Sequence, residues 1–179
     1  MSITEYIKQL DAAIARIESG AEQQVARAGL DLVGLISTRV IQQGKTADGG
    51  RFTPYSRDQI PAFFYFNRSR NNSGEQGVRR AAKEKRGVSY AEFRQLNGLK
   101  VDFKNFEFTG DMWRNFRVKK VERTGTGYRL TIGGASEDAR QKIEWLSDQE
   151  GRLIIEPSRQ ELAFVQGNLT KWAKSQLPK

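Results

Sequence analysis

The side chains that most often carry enzyme chemistry are missing from this sequence. Its 179 residues include no cysteine and no histidine. Without histidine the chain cannot form a Ser-His-Asp triad, a zinc-binding HExxH motif or an HNH-type nuclease centre. Without cysteine it has no disulfide, thiolate zinc site or thiol nucleophile. The residue types therefore indicate a protein that is not an enzyme.

Two weaker chemical patterns remain. Gly44-Lys45-Thr46 matches the end of a phosphate-binding loop, but Arg39 stands where that loop needs its first glycine. Nucleotide binding is therefore not expected. A magnesium nuclease needs converging carboxylates, and no Asp…Glu-x-Lys arrangement lies on a convincing hairpin. The candidate ligands for such a magnesium site are Asp102, Glu107, Asp111 and Glu144. We expect these side chains instead to cap helices or to pair with arginine.

Positive charge is concentrated in the middle of the chain. The net charge is +9, and residues 57–100 carry ten Lys or Arg against four Asp or Glu, which is +6. Such a block attracts nucleic acid or an acidic protein surface, or it is a solvated basic loop. The candidate partner or DNA contacts in it are Arg68, Arg70, Arg79, Arg80, Lys83, Lys85 and Arg86.

Aromatic residues lie just before this basic run, at residues 63–66. Aromatic stacking beside phosphate contacts is typical of nucleic-acid-binding proteins, and that function is the alternative carried forward. The competing interpretation is a core aromatic cluster next to a solvated loop. The candidate residues for packing or assembly are Phe63, Phe64, Phe66, Trp113, Trp145 and Trp172.

The N-terminal residues predict a long helix or a helix pair over residues 1–42. Ser2 and Glu5 form a capping box at its start. An unbroken helix would be about 60 Å long, so part of it is expected to project or to pack on a neighbour. Gly20 and Gly29 are possible breaks. Its apolar stripe, in steps of three and four, is Ile3, Ile7, Leu10, Ile14, Ile17, Ala21, Val25, Ala28, Leu32 and Leu35.

The middle of the chain has less regular patterning. Residues 44–50 contain three glycines and predict a loop, and residues 57–98 show no sustained periodicity. Within them, Ser89 and Glu92 form a second capping box, which predicts a short helix over residues 90–96. Residues 57–98 are therefore interpreted as an extended basic insertion or arm, of a kind that contacts a partner or is mobile.

Residues 99–116 predict an extended segment followed by a short helix. Alternating apolar residues over 99–108 indicate a strand or extended arm with one buried face. Thr109 then caps a short helix that presents Met112, Trp113 and Phe116 to the core.

The C-terminal part predicts a hairpin and two helices. Residues 117–123 are expected to pair with residues 128–132 across a glycine-containing turn. A helix over residues 137–147 follows, in which Ile143 and Leu146 face the core and Trp145 is a candidate for the same face. Residues 153–155 predict a short strand. A third capping box, Ser158 and Glu161, opens a last helix with the stripe Leu162, Val165, Leu169, Trp172 and Ala173.

This order of elements predicts an α+β class with a small antiparallel sheet. Length favours one domain over residues 1–179, with an α+β core at residues 99–177. The longest apolar runs fall far short of the ~20 residues that a membrane helix needs, so we expect a protein that does not insert into membranes. The N-terminus lacks the pattern of a signal peptide, so the chain is expected to stay where it is made.

Three segments, in order, resemble the virion-morphogenesis and tail-completion proteins of tailed bacteriophages. In residues 44–56 the sequence follows that family's order of glycine, Asp-Gly, aromatic and x-Pro-Leu-Ser, with Tyr55 where leucine is usual. Thr109-Gly110 matches its Thr-Gly-x-Leu turn, with Met112 in the leucine position. Residues 154–158 and the C-terminal helix are similar to its ending, although the usual Arg and Phe around Pro157 are missing. The match covers roughly residues 30–177, with residues 57–98 as an enlarged insertion.

The resemblance implies a structural role. It implies a small α+β subunit that assembles with copies of itself into a ring at the head-tail junction, the neck, of the virion. Portal or connector proteins and tail proteins are then its partners, with contact to phage DNA in the channel as a further implied interaction. It implies no cofactor, and it places the protein in the virion after synthesis in the host cytoplasm.

Overall fold

The computed structural model describes residues 2–150 and 154–178. The fold is α+β, as predicted, with six α-helices and two two-stranded antiparallel sheets among the described residues. The chain divides into two compact units. The terminal unit comprises the described residues of Met1–Thr38 and Asp111–Lys179, and the central unit is Arg39–Gly110. The expectation of a single domain stays a prediction.

The elements alternate between helix and short strand along the chain. In order they are α1 Ile3–Gln43, β1 Gln59–Pro61, a 3-10 helix Ala62–Tyr65, α2 Asn72–Lys83, β2 Gly87–Ser89, α3 Tyr90–Leu96, α4 Asp111–Arg114, β3 Phe116–Thr124, β4 Gly127–Gly134, α5 Glu137–Glu150 and α6 Arg159–Gln176.

Helix α1 is one unbroken helix of 41 residues, so of the two alternatives the single helix is observed. The capping box is complete, because the Ser2 N–H donates to Glu5 Oε2 at 2.8 Å and the Glu5 N–H donates to Ser2 Oγ at 3.2 Å. Gly20 and Gly29 do not break the helix. A methyl group at Gly20 would lie 2.9 Å from the Trp172 ring, and one at Gly29 would lie 2.7 Å from Leu130 Cδ1. Both glycines therefore permit close approach of other elements.

The predicted hairpin is confirmed. Strand β3 pairs antiparallel with β4, with Thr124 opposite Gly127 at the turn and an irregularity between Val118 and Lys120. Helix α4 buries Met112 and Trp113, as predicted, and Trp113 meets the buried Phe116 ring edge-on at 5.7 Å. These side chains form the core of this part of the terminal unit.

The C-terminal part of the chain, from α5 onward, differs from expectation in three places. Ile143 is buried, but Trp145 is 61% exposed, because α5 buries the face of Ala139, Ile143 and Ser147 instead. The capping box at Ser158 is complete, yet Leu162 is exposed while Val165 is buried. The predicted strand is wrong for residues 154–155, which lie in a turn, and Leu153 lies outside the described residues.

Residues 57–98 fold into regular structure, which the sequence did not predict beyond α3. Strand β1 pairs with β2, and α2 packs on α3 and on the 3-10 helix. Helix α3 occupies residues 90–96 as predicted, although only half of its capping box forms: Ser89 Oγ accepts from the Glu92 N–H. One core cluster of the central unit comprises Ala62, Tyr65, Val78, Ala81, Val88 and Phe93.

Residues 99–108, called the arm below, form neither a helix nor a strand, and Phe106 within them has φ +53°. Aromatic contacts hold the arm: Phe106 meets Phe52 edge-on at 4.8 Å, and Phe108 stacks on Phe93 at 5.7 Å. Gly44 has φ +63°, and a methyl group there would lie 2.2 Å from the Phe103 ring. The glycine at the end of α1 is therefore required both by its backbone conformation and by the arm.

No helix formed by the described residues combines the length and apolarity needed to cross a membrane.

Candidate functional site

Two exposed aromatic rings stand at the edge of the central unit. Strand β1 ends at Pro61, and the 3-10 helix that follows turns with three residues per turn. Ala62 and Tyr65 therefore share its buried side, whereas Phe63 and Phe64 are 58% and 50% exposed. The two exposed rings stack with centroids 4.6 Å apart. The four consecutive aromatics thus divide between core and surface.

Helix α2 carries the basic run on its solvent face. Asn71 caps it by accepting a hydrogen bond from the Gly74 N–H at 2.7 Å. Val78 and Ala81 are buried, while Arg80 and Lys83 are exposed in the last turn, where cations are favourable near the negative end of the helix dipole. The helix escaped prediction because its buried face is made of small residues rather than large apolar ones. The spacing of Gly74, Val78 and Ala81 is the signal that could have identified it.

Two of the seven candidate basic residues are already paired. Arg79 Nε lies 2.8 Å from Glu75 Oε1, and its guanidinium lies 5.0 Å from the centre of the Phe66 ring. Arg86 donates to Glu92 and Glu84 at 2.5 and 3.2 Å. These hydrogen bonds, first to Glu92 and then to Glu84, raise the pKa of Arg86 above its usual value. Both side chains are therefore engaged in ion pairs within the central unit.

The other five candidates remain available. Each is exposed, and none has a carboxylate within ion-pair distance in the part of the chain that the structure describes. They are Arg68, Arg70, Arg80, Lys83 and Lys85.

A groove of about 440 Å³ is lined both by Phe63 of the aromatic pair and by Lys85 of the available cations. Its lining also includes strand β1, Ala82 and Arg86. Lys85 has φ +56° in the turn between α2 and β2, and both basic residues of that turn, Lys85 and Arg86, line the groove. The aromatic pair, Lys85 and the groove are called the aromatic-basic surface below. An exposed ring pair beside cations suits a planar, anionic ligand such as a nucleic-acid strand.

Beneath this unit's surface lies a polar cluster that the sequence did not single out. Arg94 is 1% exposed. Its guanidinium donates to Lys100 O, Asn105 Oδ1 and Glu107 O at 3.1, 3.0 and 2.9 Å. It also lies 4.1 Å from the centre of the Tyr55 ring. This buried cation therefore binds the arm through three neutral oxygens and packs against the face of the Tyr55 ring.

Tyr55 completes the polar cluster. Its hydroxyl donates to Asn105 Oδ1 at 3.0 Å and accepts from the N–H groups of Asn105 and Phe106 at 3.2 and 3.3 Å. A leucine at this position could make none of these bonds. Tyr55, which stands where leucine is usual in the motif that residues 44–56 resemble, therefore binds the arm through its hydroxyl.

The cluster predicts a loss of stability in alkaline solution. Burial raises the pKa of Tyr55 above 10.0, outweighing Arg94 and the two backbone N–H groups, which lower it. Burial also raises the pKa of Tyr65. A tyrosine whose pKa is higher when folded contributes stability below its unfolded pKa and loses it as pH rises through the folded pKa.

We therefore expect the free energy of unfolding of the central unit to fall above about pH 10, and to fall less steeply in Tyr55→Phe. Hydrogen exchange of central-unit amides across this pH range is the measurement. Equal steepness in the variant and the wild type would contradict the assignment.

The terminal unit presents a different kind of surface, made of apolar side chains on helices. On α1, Ile3 is 81% exposed, and Ile7 and Ile14 are 51% and 52% exposed. Trp145 on α5 and Phe164 on α6 are exposed as well. Of the other tryptophans, Trp113 is buried and Trp172 is half-buried against Gly20.

Among the described residues, no three acidic side chains gather as a metal site would require. Of the acids considered for a magnesium centre, Asp111 instead pairs with Arg114 one turn along α4. A comparison of the chain with protein-family models, curated proteins and solved structures finds no significant match.

Proposed function

We propose that this protein is a structural subunit of the head-tail junction of a tailed bacteriophage, where copies of it form a ring that joins portal or connector proteins to the tail. It acts by assembly and not as an enzyme, and it needs no cofactor. Its place is the virion, after synthesis in the host cytoplasm.

The observation that carries this proposal is the apolar surface of the terminal unit. Large apolar side chains are exposed on α1, α5 and α6 of this unit, and patches of such side chains mark surfaces that meet other proteins. The large apolar side chains exposed in the described part of this unit are Ile3, Tyr6, Ile7, Ile14, Leu30, Trp145, Leu162, Phe164 and Leu177. A ring subunit buries such surface against its neighbours on assembly.

The phage assignment within that proposal is supported by the ordered motifs. Gly44 has positive φ and lies against Phe103, and Gly110, in the Thr-Gly turn, has φ +80°. Met112, in the leucine position of that turn, is buried. The motif residues thus occupy positions where their types matter for folding, which favours the resemblance over a chance similarity.

The test is a virion lacking this protein. Deleting its gene from the parent phage is expected to leave DNA-filled heads and complete tails that do not join, and supply of the protein in trans is expected to restore joined particles. Normal joined particles from the deletion would overturn the proposal. A full-length variant with Trp145→Glu, which alters an exposed residue, separates assembly from folding.

A nucleic-acid-binding protein is the second candidate, favoured by the aromatic-basic surface. Its distinguishing feature is the exposed Phe63–Phe64 stack at a groove that is also lined by Lys85, which has no acidic partner among the described residues. Stacking of a base on an aromatic ring contributes about 1–3 kcal/mol, and each phosphate contact adds to the salt dependence of binding.

This candidate predicts that single-stranded oligonucleotides bind at low salt and that a triple variant, Arg80→Gln with Lys83→Gln and Lys85→Gln, lowers the slope of log K against log salt by about 2. Fluorescence anisotropy titrations at several salt concentrations measure that slope. Arg79→Gln is the matched control, because Arg79 is already paired with Glu75. Absence of binding at low salt would remove this candidate.

A further inference from the structure

The hairpin of β3 and β4 has one apolar face and one basic face. Val118 and Leu130 point to helix α1, where a methyl group at Gly29 would lie 2.7 Å from each side chain. Successive strand residues point to opposite faces, so the alternate residues point away from α1. Lys119 lies on this outer face too, because its Cδ is 3.8 Å from the position that a methyl group on Gly133 would occupy. The exposed cations of the outer face are Arg117, Lys119, Lys120 and Arg129.

Little negative charge balances the outer face of the hairpin. Lys120 pairs with Glu122 at 2.6 Å, and Arg129 stands opposite Glu122 on the neighbouring strand. The hydrogen bond from Lys120, together with the charges of Lys120 and Arg129, lowers the pKa of Glu122. Arg117 and Lys119 have no acidic partner in the described part of the chain. One carboxylate therefore serves two cations, and two further cations are left unbalanced.

Helix α5 carries the opposite charge around an exposed aromatic ring. It has five acids against two cations, and both cations, Arg140 and Lys142, are already paired with acids of its first turn. Glu144 and Asp148 are exposed and have no cationic partner among the described residues. Positions three and four apart are neighbours on a helix, so Asp148 lies beside both Glu144 and the exposed Trp145. These three residues are called the acidic-tryptophan surface below.

We propose that the outer face of the hairpin binds the acidic-tryptophan surface of a second copy of this chain. The two surfaces are complementary in charge, since one has cations without acids and the other has acids without cations. Exposed ion pairs alone contribute little to association. Trp145 supplies the apolar contact that they lack, and tryptophan and arginine are the side chains most often found at the centre of protein interfaces.

Neither surface is satisfied within its own copy. Helix α5 meets the end of the hairpin with its first turn, because a methyl group at Gly134 would lie 2.7 Å from the backbone nitrogen of Arg140. Glu144 and Asp148 come later on the helix, and no ion pair joins either of them to a cation of the hairpin in the described part of the chain. Both surfaces are therefore available to another molecule.

A contact between two different surfaces also agrees with a ring, and in this respect the inference rests on the proposed function. Each copy offers its hairpin to one neighbour and its acidic-tryptophan surface to the other. Head-to-tail contacts of this kind give a closed ring where the rotation between copies closes, and an open filament where it does not. A surface that pairs with itself would instead stop at two copies.

Reversal of charge in the full chain tests this contact. The hairpin variant carries Arg117→Glu with Lys119→Glu, and the helix variant carries Glu144→Lys with Asp148→Lys. Each alone is expected to associate at least about tenfold more weakly than wild type in sedimentation velocity, because like charges then face each other. An equimolar mixture is expected to recover assembly, since contacts between the two variants again join opposite charges. All four positions are exposed, so circular dichroism should show both variants folded.

Arg80→Glu with Lys83→Glu is the matched control for the hairpin variant. It makes the same change of charge at two exposed cations of α2, and it is expected to leave assembly unchanged. Equal loss of assembly in this control would overturn the inference.

Two further outcomes separate the inference from the proposed function. Assembly that persists in either reversed variant would overturn the inference and leave the proposed function standing. Assembly that fails to return in the mixture, as expected if the hairpin binds nucleic acid instead, would do the same. Open filaments that need both reversed variants, formed by a protein absent from virions, would support the inference and contradict the proposed function.

Discussion

Replacing Arg94 with methionine is expected to lower the free energy of unfolding of the central unit by about 3 kcal/mol. Methionine keeps much of the side-chain volume but removes the Arg94 donor from Lys100 O and Glu107 O. It also removes one donor from Asn105 Oδ1, which keeps its bond from the Tyr55 hydroxyl. Each such bond to a charged group contributes about 1.5–3 kcal/mol, and part of that sum is offset because the buried charge no longer has to be desolvated. The arm, residues 99–108, should loosen first.

The readout must be local, because all three tryptophans lie in the terminal unit, at positions 113, 145 and 172. Hydrogen exchange of amides in the arm and in α3 reports the central unit directly. Arg94→Lys is the matched control: it keeps the charge but lacks the planar fork, so we expect it to be less damaging than methionine and still destabilising. Unchanged or slower exchange in Arg94→Met would contradict the prediction. It would show that the free energy needed to desolvate the buried guanidinium is at least as large as the stability that its hydrogen bonds contribute.

Replacing Trp113 with alanine is expected to destabilise the terminal unit by about 3–5 kcal/mol, the range for removing a buried large aromatic side chain. Trp113 is buried and meets the Phe116 ring edge-on, so its loss leaves a cavity between α4 and the start of β3. Urea denaturation followed by far-ultraviolet circular dichroism is the measurement.

Trp145→Ala is the matched control for this prediction. The same side chain is removed, but Trp145 is 61% exposed, so the change in stability is expected within about 0.5 kcal/mol. If Trp145 lies in an assembly surface, its loss should reduce the assembled fraction instead. Equal destabilisation by the two alanine variants would contradict the assignment of one tryptophan to the core and the other to the surface.

Elements with a large apolar pattern or a capping box were predictable from the sequence. Local chemistry determines the apolar stripe of α1, the hairpin and the capping boxes at Ser2 and Ser158. The residues involved are close together in the sequence, so their spacing is sufficient to predict these features. Helix α3 followed from Ser89 in the same way, although the Glu92 side chain pairs with Arg86 rather than with the Ser89 backbone.

What escaped prediction depends on tertiary contacts. Helix α2 buries small residues against α3, where a methyl group at Gly74 would lie 2.5 Å from Asn97 Oδ1, so its apolar signal is weak. The bonds between Tyr55, Arg94 and Asn105 join residues up to 50 positions apart. Helix α5 buries Ala139, Ile143 and Ser147, so Trp145, which the sequence left as a candidate for the buried face, lies outside it.

The candidate surfaces were also predictable only in part, since the sequence locates their residues and the fold decides which side chains are exposed and unpaired. The basic run was located from the sequence, but only the fold separates paired Arg79 and Arg86 from the five available cations. Likewise, the sequence placed residues 63–66 together, and the 3-10 helix then turned Phe63 and Phe64 outward.

Electron microscopy of the purified full-length protein and of its parent virion tests the central claim most directly. The account predicts closed rings of copies in the purified protein, and density at the neck of the virion that antibody labelling of this chain marks. A protein that stays strictly monomeric at all concentrations and is absent from particles would contradict it.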